Sequence, residues 1–226
     1  MKRRRAPRGS GEQLRDEILD ATTDLLLEAG NVKEVSIRSV AQRVGVTPPS
    51  IYLHFADKDA LLDAVCARYF EKLDEEMQSV ASGQPSTIEV LRAQGLAYVR
   101  FAMKTPELYR IATMGESRPG SDVDVALNSS AFVHLRAAVE GLMAEGIYPP
   151  GDSTATALEL MTVAHGVAAM LISKPYLPWG DVEDFADRVL TAVCLGHITR
   201  GAVDPDAPPP ETVNQLKGML HARHGR

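Results

Sequence analysis

Apolar residues recur along the chain at helical spacing, and the alternation that marks a half-buried strand is nearly absent. One face of a first helix is apolar at Leu14, Ile18, Ala21 and Leu25. Ser10 and Gln13 have the form of a capping box at its start, and Gly30 is able to take the left-handed conformation after its end. The pattern predicts an amphipathic helix over residues 10–29.

Three more helices are predicted next, and each follows a residue whose side-chain oxygen can cap a helix. The capping residues are Ser36, Thr47 and Asp57, and the helices cover residues 37–44, 48–55 and 57–77. Gly45 stops the first of these helices and permits a tight turn into the second. This part of the chain therefore combines two short helices with one long helix.

Longer helices follow a polar break at residues 82–85. They are predicted over residues 88–103, from Thr105-Pro106-Glu107 onward, and over residues 123–145, 154–173 and 182–199. Proline at a first helical position loses no donor that the helix needs. Residues 204–210 are rich in proline and predicted to be extended, with a frayed helix after them. The predicted fold class is all-α.

The charge of the chain limits the kinds of partner that it can bind. The 226 residues are 45% hydrophobic and carry a formal net charge of -6, so the chain as a whole is not drawn to nucleic acid. Any affinity for DNA must come from a local patch, and basic residues cluster at Lys2, Arg3, Arg4, Arg5 and Arg8. They form a solvated tail or an arm for the minor groove, and both interpretations are compatible because such arms order on DNA.

Neither a membrane segment nor a metal site is predicted. The longest apolar run, residues 163–172, is too short to span a bilayer, and no apolar stretch follows Arg8 as a signal peptide would require. Cys66 and Cys194 lie in apolar segments without partners at metal-ligand spacing, which predicts buried free thiols in a reducing compartment. We expect a cytoplasmic protein with no membrane partner, no metal and no cofactor.

Residues 36–55 have the pattern of a helix-turn-helix. The apolar contacts between its two helices come from Val40, Val44, Val46, Ile51 and Phe55, with small Ala41 at the closest approach. In DNA-binding motifs of this type the second helix enters the major groove with its N-terminal residues towards the base edges. An ordinary helical hairpin is the alternative. Polar residues suited to phosphates, the basic arm upstream and a second helix too short to form for core packing alone all count against it.

The segments SIRSVAQRVGVTPPSIYLHFADKDALL and ILDATTDLLLEAG resemble the TetR family of bacterial regulators over about residues 12–67. In that family the first helix supports the motif, the third recognises DNA and the fourth leads to a ligand-binding bundle. The segments LELMTVAHGVAAML and PELYRIATMG are similar to a subtype with a His-Gly pair in its C-terminal domain. The resemblance implies an N-terminal three-helix helix-turn-helix domain joined by a long helix to a C-terminal helical bundle.

This architecture divides the chain into five predicted parts. They are a basic N-terminal arm (1–11), a helix-turn-helix DNA-binding domain (12–56), a connecting helix (57–82), a ligand-binding and dimerisation bundle (83–200) and a C-terminal tail (201–226).

The resemblance also implies roles for single residues at the DNA. Tyr52 corresponds to the family tyrosine that donates to a phosphate, and Lys58 corresponds to the lysine that contacts a phosphate. Thr47 caps the recognition helix and reaches a phosphate, while Arg38 contacts either a base or a phosphate. The predicted DNA-binding residues are Ser36, Arg38, Thr47, Pro48, Pro49, Ser50, Tyr52, His54, Lys58, Arg3, Arg4 and Arg5.

Pro48 and Pro49 depart from the glycine- or serine-rich pattern that is commoner in the family at the groove-facing end. Prolines lack donor N–H groups, and Pro49 disfavours a helical Pro48. We therefore expect apolar base contacts at these two positions, for example to a thymine methyl group, and a polar contact from Ser50.

The helix over residues 154–173 is apolar on nearly all faces, and the helix over residues 182–199 has a similar character. Such helices must be covered on several sides. They fill the core of one large monomer, or they form a four-helix interface with the same helices of a second subunit. We favour the homodimer because recognition helices of this type are used in pairs.

An apolar effector site is predicted in the bundle, because methionines and aromatic rings with a few polar tips suit a small apolar ligand. The candidates are Tyr98, Phe101, Tyr109, Met114, Phe132, Met161, His165 and Trp179. The same residue types also fill ordinary cores, and a single histidine such as His165 is often a satisfied core residue, so both interpretations stay open.

Together these features predict a transcriptional regulator, a repressor that binds a double-stranded DNA operator as a homodimer and is released by a small molecule. An architectural DNA-binding protein without a sensing role is one alternative. A helical enzyme that uses His165 as a base is another. It is disfavoured because Glu159 lies on a different side of that helix and the sequence contains no catalytic motif. We expect no enzymatic activity.

Overall fold

Regular structure in the described part of the chain is helical throughout, which confirms the predicted fold class. The structure is a computed structural model that describes residues 10–114, 130–204 and 206–224. Its helices are α1 (Ser10–Ala29), α2 (Ile37–Val44), α3 (Pro48–Tyr52), α4 (Lys58–Ala81), α5 (Thr87–Lys104), α6 (Pro106–Met114), α7 (Ala131–Ala144), α8 (Ser153–Ser173), α9 (Val182–Arg200) and α10 (Pro209–His224). A short 3-10 turn, Val32–Glu34, follows α1.

The chain folds as two compact units. Unit 1 contains Met1–Glu75 and Phe101–Ala131, and unit 2 contains Glu76–Arg100 and Phe132–Arg226. α4 and α5 each contribute residues to both units. The five parts predicted from the sequence are divided by presumed role and not by compactness, and their boundaries stay predictions.

Unit 1 is built around α1, which packs on α2 and on α6. The inner face of α1 buries Ile18, Leu19, Ala21, Thr22 and Leu26, whereas Leu14 and Leu25 are only half-buried. Full burial of one leucine or isoleucine side chain contributes about 1.5–3 kcal/mol. α4 buries the predicted stripe of Leu61, Val65, Tyr69 and Leu73. An ion pair of 2.7 Å between Arg68 and Asp20 also joins α4 to α1.

Two apolar clusters lie in the interior of unit 2. One contains Leu91, Ala138, Val139, Leu142, Tyr148, Ala157, Leu160 and Cys194. The other contains Leu96, Val99, Ala164, Val167, Leu171, Ala186 and Leu190. α8 and α9 pack on each other and contribute to both clusters. Gly95 allows α5 to approach α9, because a Cβ at this position would lie 3.2 Å from Cδ1 of Leu190.

α8 differs from the sequence-based expectation about membranes. That expectation rested on residues 163–172, but the complete helix has 21 residues and a hydropathy of 1.6, which suffices by length and composition to cross a membrane. α8 is also a core helix of unit 2, since Ala157, Leu160, Ala164, Val167 and Leu171 are buried. Part of its apolar surface is therefore used for packing within the unit.

Several helix ends differ from the predictions for local reasons. α3 ends at Tyr52, three residues earlier than predicted, and the N–H groups of His54 and Phe55 both donate to the carbonyl of Ile51. The amide of Gln13 donates to Glu17 at 3.1 Å, and the capping box expected from Ser10 and Gln13 stays a prediction. The C-terminal prolines start a helix that continues to His224, since proline is well suited to a first helical turn.

Candidate nucleic-acid interface and effector site

The helix-turn-helix of unit 1 is formed as the sequence predicts. Gly45 takes the left-handed conformation, with φ 79°, and turns the chain from α2 into α3. The N–H of Val46 donates to the carbonyl of Ala41 at 2.9 Å, which closes the turn. Val40, Ala41, Ile51 and Phe55 are buried, so the two short helices share one core and keep a fixed relative orientation.

The two helices have different N-terminal caps. Ser36 forms a capping box with Ser39, in which each side chain binds the backbone N–H of the other. Thr47 occupies the cap position of α3 but makes no capping hydrogen bond, contrary to its predicted role. The first two helical residues are prolines, which have no N–H to offer. The Thr47 hydroxyl instead lies 3.0 Å from the hydroxyl of Ser50.

The predicted DNA-binding residues of the described chain lie on or beside α2 and α3. Exposed residues are Ser36, Arg38, Thr47, Pro48, Pro49 and Tyr52. Half-buried residues are Ser50, His54 and Lys58. Arg3, Arg4 and Arg5 lie outside the described residues. Thr47, Pro48, Pro49 and Ser50, called the α3 entry surface below, therefore offer two neighbouring hydroxyls and two apolar rings.

Two basic side chains near this surface are held by unit 1 itself. The Lys58 ammonium donates to the carbonyl of Val32 at 2.7 Å, which ties the start of α4 to the turn after α1. Arg43 forms two hydrogen bonds with the carboxylate of Glu28, at 2.6 and 3.0 Å. This pairing lowers the pKa of Glu28 and raises that of Arg43. Lys58 retains further donors, because an ammonium group has three.

Leu53 was missed by the sequence analysis. Its side chain is 84% exposed and follows Tyr52, which is 54% exposed. A large apolar residue at this exposure on the same motif is a candidate for contact with deoxyribose or a thymine methyl group. The position of residue 53 in the sequence could have indicated this exposure, because it falls between Tyr52 and His54, which were both predicted to face solvent.

The predicted effector residues divide between the two units. In unit 1, Tyr109 is fully buried, Met114 is exposed, and the ring of Phe101 lies 4.9 Å from that of Tyr69. Burial raises the pKa of the Tyr69 phenol. Tyr109 therefore belongs to the core of unit 1, and the three residues lie on α5 and α6.

In unit 2, the Tyr98 hydroxyl lies 3.2 Å from Nδ1 of His165 and links α5 to α8. Burial lowers the pKa of His165, so the imidazole is neutral at physiological pH. Phe132 packs against the first apolar cluster, and Met161 is half-buried one turn before His165. Trp179 donates its indole N–H to the carbonyl of Lys174 at 2.8 Å. These side chains are held in place, and the hydroxyl–imidazole pair is polar but uncharged.

A second histidine of unit 2 was not predicted. His197 is buried, its Nε2 lies 3.4 Å from the Glu159 carboxylate, and its ring lies 5.4 Å from that of Tyr148. Arg200 reaches the same carboxylate at 3.0 Å. Glu159 therefore pairs with two residues of α9. A histidine within an apolar helical pattern was the only available signal.

The two cysteines are buried free thiols, as predicted. Burial raises the pKa of Cys66 to about 12 and also raises the pKa of Cys194. Neutral thiols of this kind are poor nucleophiles.

Two protein-family descriptions match the chain. "Bacterial regulatory proteins, tetR family" matches residues 18–65, and "Tetracyclin repressor-like, C-terminal domain" matches residues 91–193. The first match includes the whole helix-turn-helix, and the second includes most of α5 to α9.

Individual proteins are similar over most of the chain. The HTH-type transcriptional regulator EthR of Mycobacterium tuberculosis is 27% identical over 191 residues, which cover 80% of this chain and 87% of EthR. The nucleoid occlusion factor SlmA of Edwardsiella ictaluri is 22% identical over 185 residues, which cover 80% of this chain and 93% of SlmA. A solved structure of a protein with unknown function from Rhodococcus sp. RHA1 has a TM-score of 0.72 at 26% identity, covering 82% of this chain and 95% of that one.

Proposed function

The chain belongs to the TetR family of bacterial regulatory proteins, and from this membership we propose that it is a transcriptional repressor that a small molecule releases from its DNA operator. The observation that carries the proposal is the α3 entry surface together with exposed Arg38 and Tyr52, held on a buried helix-turn-helix core. A fixed orientation matters because specific contacts to base edges require a rigid helix in the groove. We place the regulator in the cytoplasm.

Sequence recognition is assigned to the α3 entry surface. The hydroxyls of Thr47 and Ser50 are 3.0 Å apart and can bind a base edge or a phosphate. Pro48 and Pro49 present apolar rings, which suit thymine methyl groups. Tyr52 and Lys58 donate to the phosphate backbone, and Lys58 does so while one of its donors binds Val32. Arg3, Arg4 and Arg5 add contacts in the minor groove.

A homodimer is proposed through α8 and α9. Leu158 and Met170 of α8 are 46% and 44% exposed, and Leu195 of α9 is 53% exposed. A Cβ added at Gly166 or Gly196 would meet nothing within 4 Å, so both helices have open surface at these positions. Small and apolar residues exposed on two neighbouring helices favour close packing against the same helices of a second subunit. The resulting pair of recognition helices would read a near-palindromic operator.

The response to an effector is proposed to run through α4 and α6. α4 contains residues of both units, so a change in unit 2 reaches unit 1 along a continuous helix. α6 carries the candidates Tyr109 and Met114 and packs on α1, which supports the helix-turn-helix. A ligand that binds the DNA-incompetent conformation more tightly shifts the population away from the operator-bound state.

The proposal is tested by selecting duplexes from a random pool with the full chain and measuring binding by fluorescence anisotropy. Tyr52→Phe and Lys58→Ala are each expected to cost about 1 kcal/mol of binding, and Lys58→Ala also lowers the salt slope by about one. Lys72→Ala removes an exposed lysine from the same helix and is the matched control. Wild-type affinity of both test variants at matched salt contradicts the assignment.

An architectural role is the second candidate, and the similarity to the nucleoid occlusion factor SlmA favours it. A protein of this kind would bind DNA without any effector response. The two roles differ in whether a ligand of unit 2 lowers the affinity for the selected duplex.

A further inference from the structure

One polar side chain in the interior of unit 2 has an acceptor without a donor. Gln94 of α5 is 3% exposed, and its Oε1 accepts no hydrogen bond from the described residues. Buried amide oxygens are nearly always hydrogen-bonded, because leaving one unpaired forfeits its interaction with water. The orphan oxygen can therefore accept a hydrogen bond that the described residues do not supply.

Gln94 shares a helix face with the hydroxyl–imidazole pair. Gln94 and Tyr98 are four residues apart on α5, so their side chains are neighbours on one face. Leu91 lies one turn before Gln94 on that face and belongs to the cluster that contains Ala157 and Leu160 of α8. Tyr98 binds His165, which also lies on α8. The α5 face from Leu91 to Tyr98 is thus directed towards α8, with Gln94 in its middle.

The two apolar clusters beside these polar groups contain no charged side chain among the described residues. Both apolar clusters of unit 2 consist of hydrophobic residues, and the pKa of His165 is lowered by burial. The Arg92 and Arg100 guanidinium groups of α5 pair with Asp187 and Glu183 at the surface. An anionic ligand would lose its hydration here without gaining a cation in exchange.

We propose that Gln94, Tyr98 and His165 form the polar anchor of the effector site, and that the effector is an uncharged, largely apolar molecule carrying an N–H or O–H donor. The donor binds the orphan Oε1 of Gln94, and the Tyr98–His165 pair binds the neighbouring acceptor. A carboxamide is the simplest group with both functions. This inference rests on the proposed effector response and adds the chemical class of the effector.

Three probes that share the same alkyl group test this chemistry in the full-length protein: decanamide, methyl decanoate and decanoate. Isothermal titration calorimetry is expected to give decanamide an affinity about ten-fold above that of the ester, which has no donor, and of the anion. Gln94→Leu should abolish the preference for decanamide over the ester while the ester still binds. Gln78→Leu replaces a half-buried glutamine of α4 and should keep the preference.

Further measurements separate an anchor from a structural role. Gln94→Leu removes an unpaired acceptor, so the thermal midpoint of the ligand-free protein should stay unchanged or rise. Tyr98→Phe keeps the ring and should lower decanamide affinity several-fold even if Gln94→Leu folds poorly. Equal binding of the amide and the ester by the wild type, no binding of any probe, or a preference that survives Gln94→Leu overturns the proposal.

Binding of the selected duplex, measured with the same proteins, tests the proposed function separately. Without probe, the wild type and Gln94→Leu should bind the selected duplex equally well, because Gln94 lies outside the helix-turn-helix and no effector is present to shift the population. Absence of DNA binding together with an intact amide preference overturns the regulator and not the anchor. Intact DNA binding without an amide preference overturns the anchor and not the regulator.

Discussion

The imidazole of His197 lies between a carboxylate that is partly open to solvent and the ring of buried Tyr148. Burial lowers the pKa of His197, the Glu159 carboxylate raises it, and Arg200 lowers it again, with a net decrease from the ordinary 6.5. The neighbours of one residue thus determine its charge, and one of them, Glu159, lies far from it in sequence.

A pH dependence of stability follows from this decrease. As the pH falls, the unfolded chain binds the His197 proton before the folded chain does, so this stability is complete above pH 6.5 and is lost below it. His197→Gln should therefore show a smaller fall in thermal midpoint than the wild type between about pH 7.5 and about pH 5.5. An equal fall in both proteins contradicts the prediction. The His165 contribution, which has the same sign, is present in both.

At the scale of the element, α2 and α3 show that a cap position does not guarantee a capping bond. Ser36 and Thr47 both precede a helix with extended backbone, yet only Ser36 accepts a hydrogen bond from its helix. In α3 the N–H at the equivalent third position belongs to Ser50, and it donates to the Thr47 carbonyl at 2.8 Å, while the Thr47 hydroxyl lies 3.0 Å from the Ser50 hydroxyl. The Thr47 hydroxyl is therefore available to solvent and to DNA.

Substitution of the two residues by alanine should separate stability from DNA binding. Ser36→Ala is expected to lower the free energy of unfolding by about 1 kcal/mol, and Thr47→Ala by less than about 0.5 kcal/mol, because only Ser36 is a functioning cap. Urea denaturation measures both. Thr47→Ala should instead weaken binding to the selected duplex. A stability loss from Thr47→Ala as large as that from Ser36→Ala would show that its hydroxyl does cap α3.

At the scale of the molecule, unit 1 contains α6 beside α1 to α3, so a helix predicted for the ligand-binding half packs on the DNA-binding half. Unit 2 presents exposed apolar residues on α8 and α9. We therefore propose that control of DNA binding by an effector needs two features. One is a dimer interface in unit 2, and the other is a helix, α4, that contains residues of both units.

The interface is tested with Leu195→Asp. A carboxylate buried between two subunits is costly, so this variant should sediment as a monomer at micromolar concentration while the wild type sediments as a dimer. Val213→Asp alters a similarly exposed apolar residue of α10 and should leave the dimer intact. Monomeric wild type, or a dimeric Leu195→Asp, argues against this interface.

Coupling between the two sites is tested by its reciprocity. An effector that weakens DNA binding thirty-fold requires about 2 kcal/mol of coupling, and the selected duplex must then weaken effector binding by the same factor. Calorimetry with and without saturating duplex measures this. Equal effector affinity in both titrations excludes the release mechanism.

The sequence by itself determined the features that depend on neighbours along the chain. These are the all-helical fold, the helix-turn-helix over α2 and α3, the left-handed turn at Gly45, the buried cysteines and the exposed prolines of α3. Hydrophobic period, caps and turn residues act over a few positions, so a pattern of letters is enough to predict them.

Only the tertiary structure decided which distant residues meet. The Lys58–Val32 bond, the Glu159–His197 pair, the Tyr98–His165 bond and the unpaired oxygen of Gln94 each depend on how helices pack. A glutamine, lysine or histidine in a helical pattern carries no local sign of its partner. Its hydrogen bonds and charge are set by burial and by groups that folding brings close from elsewhere in the chain.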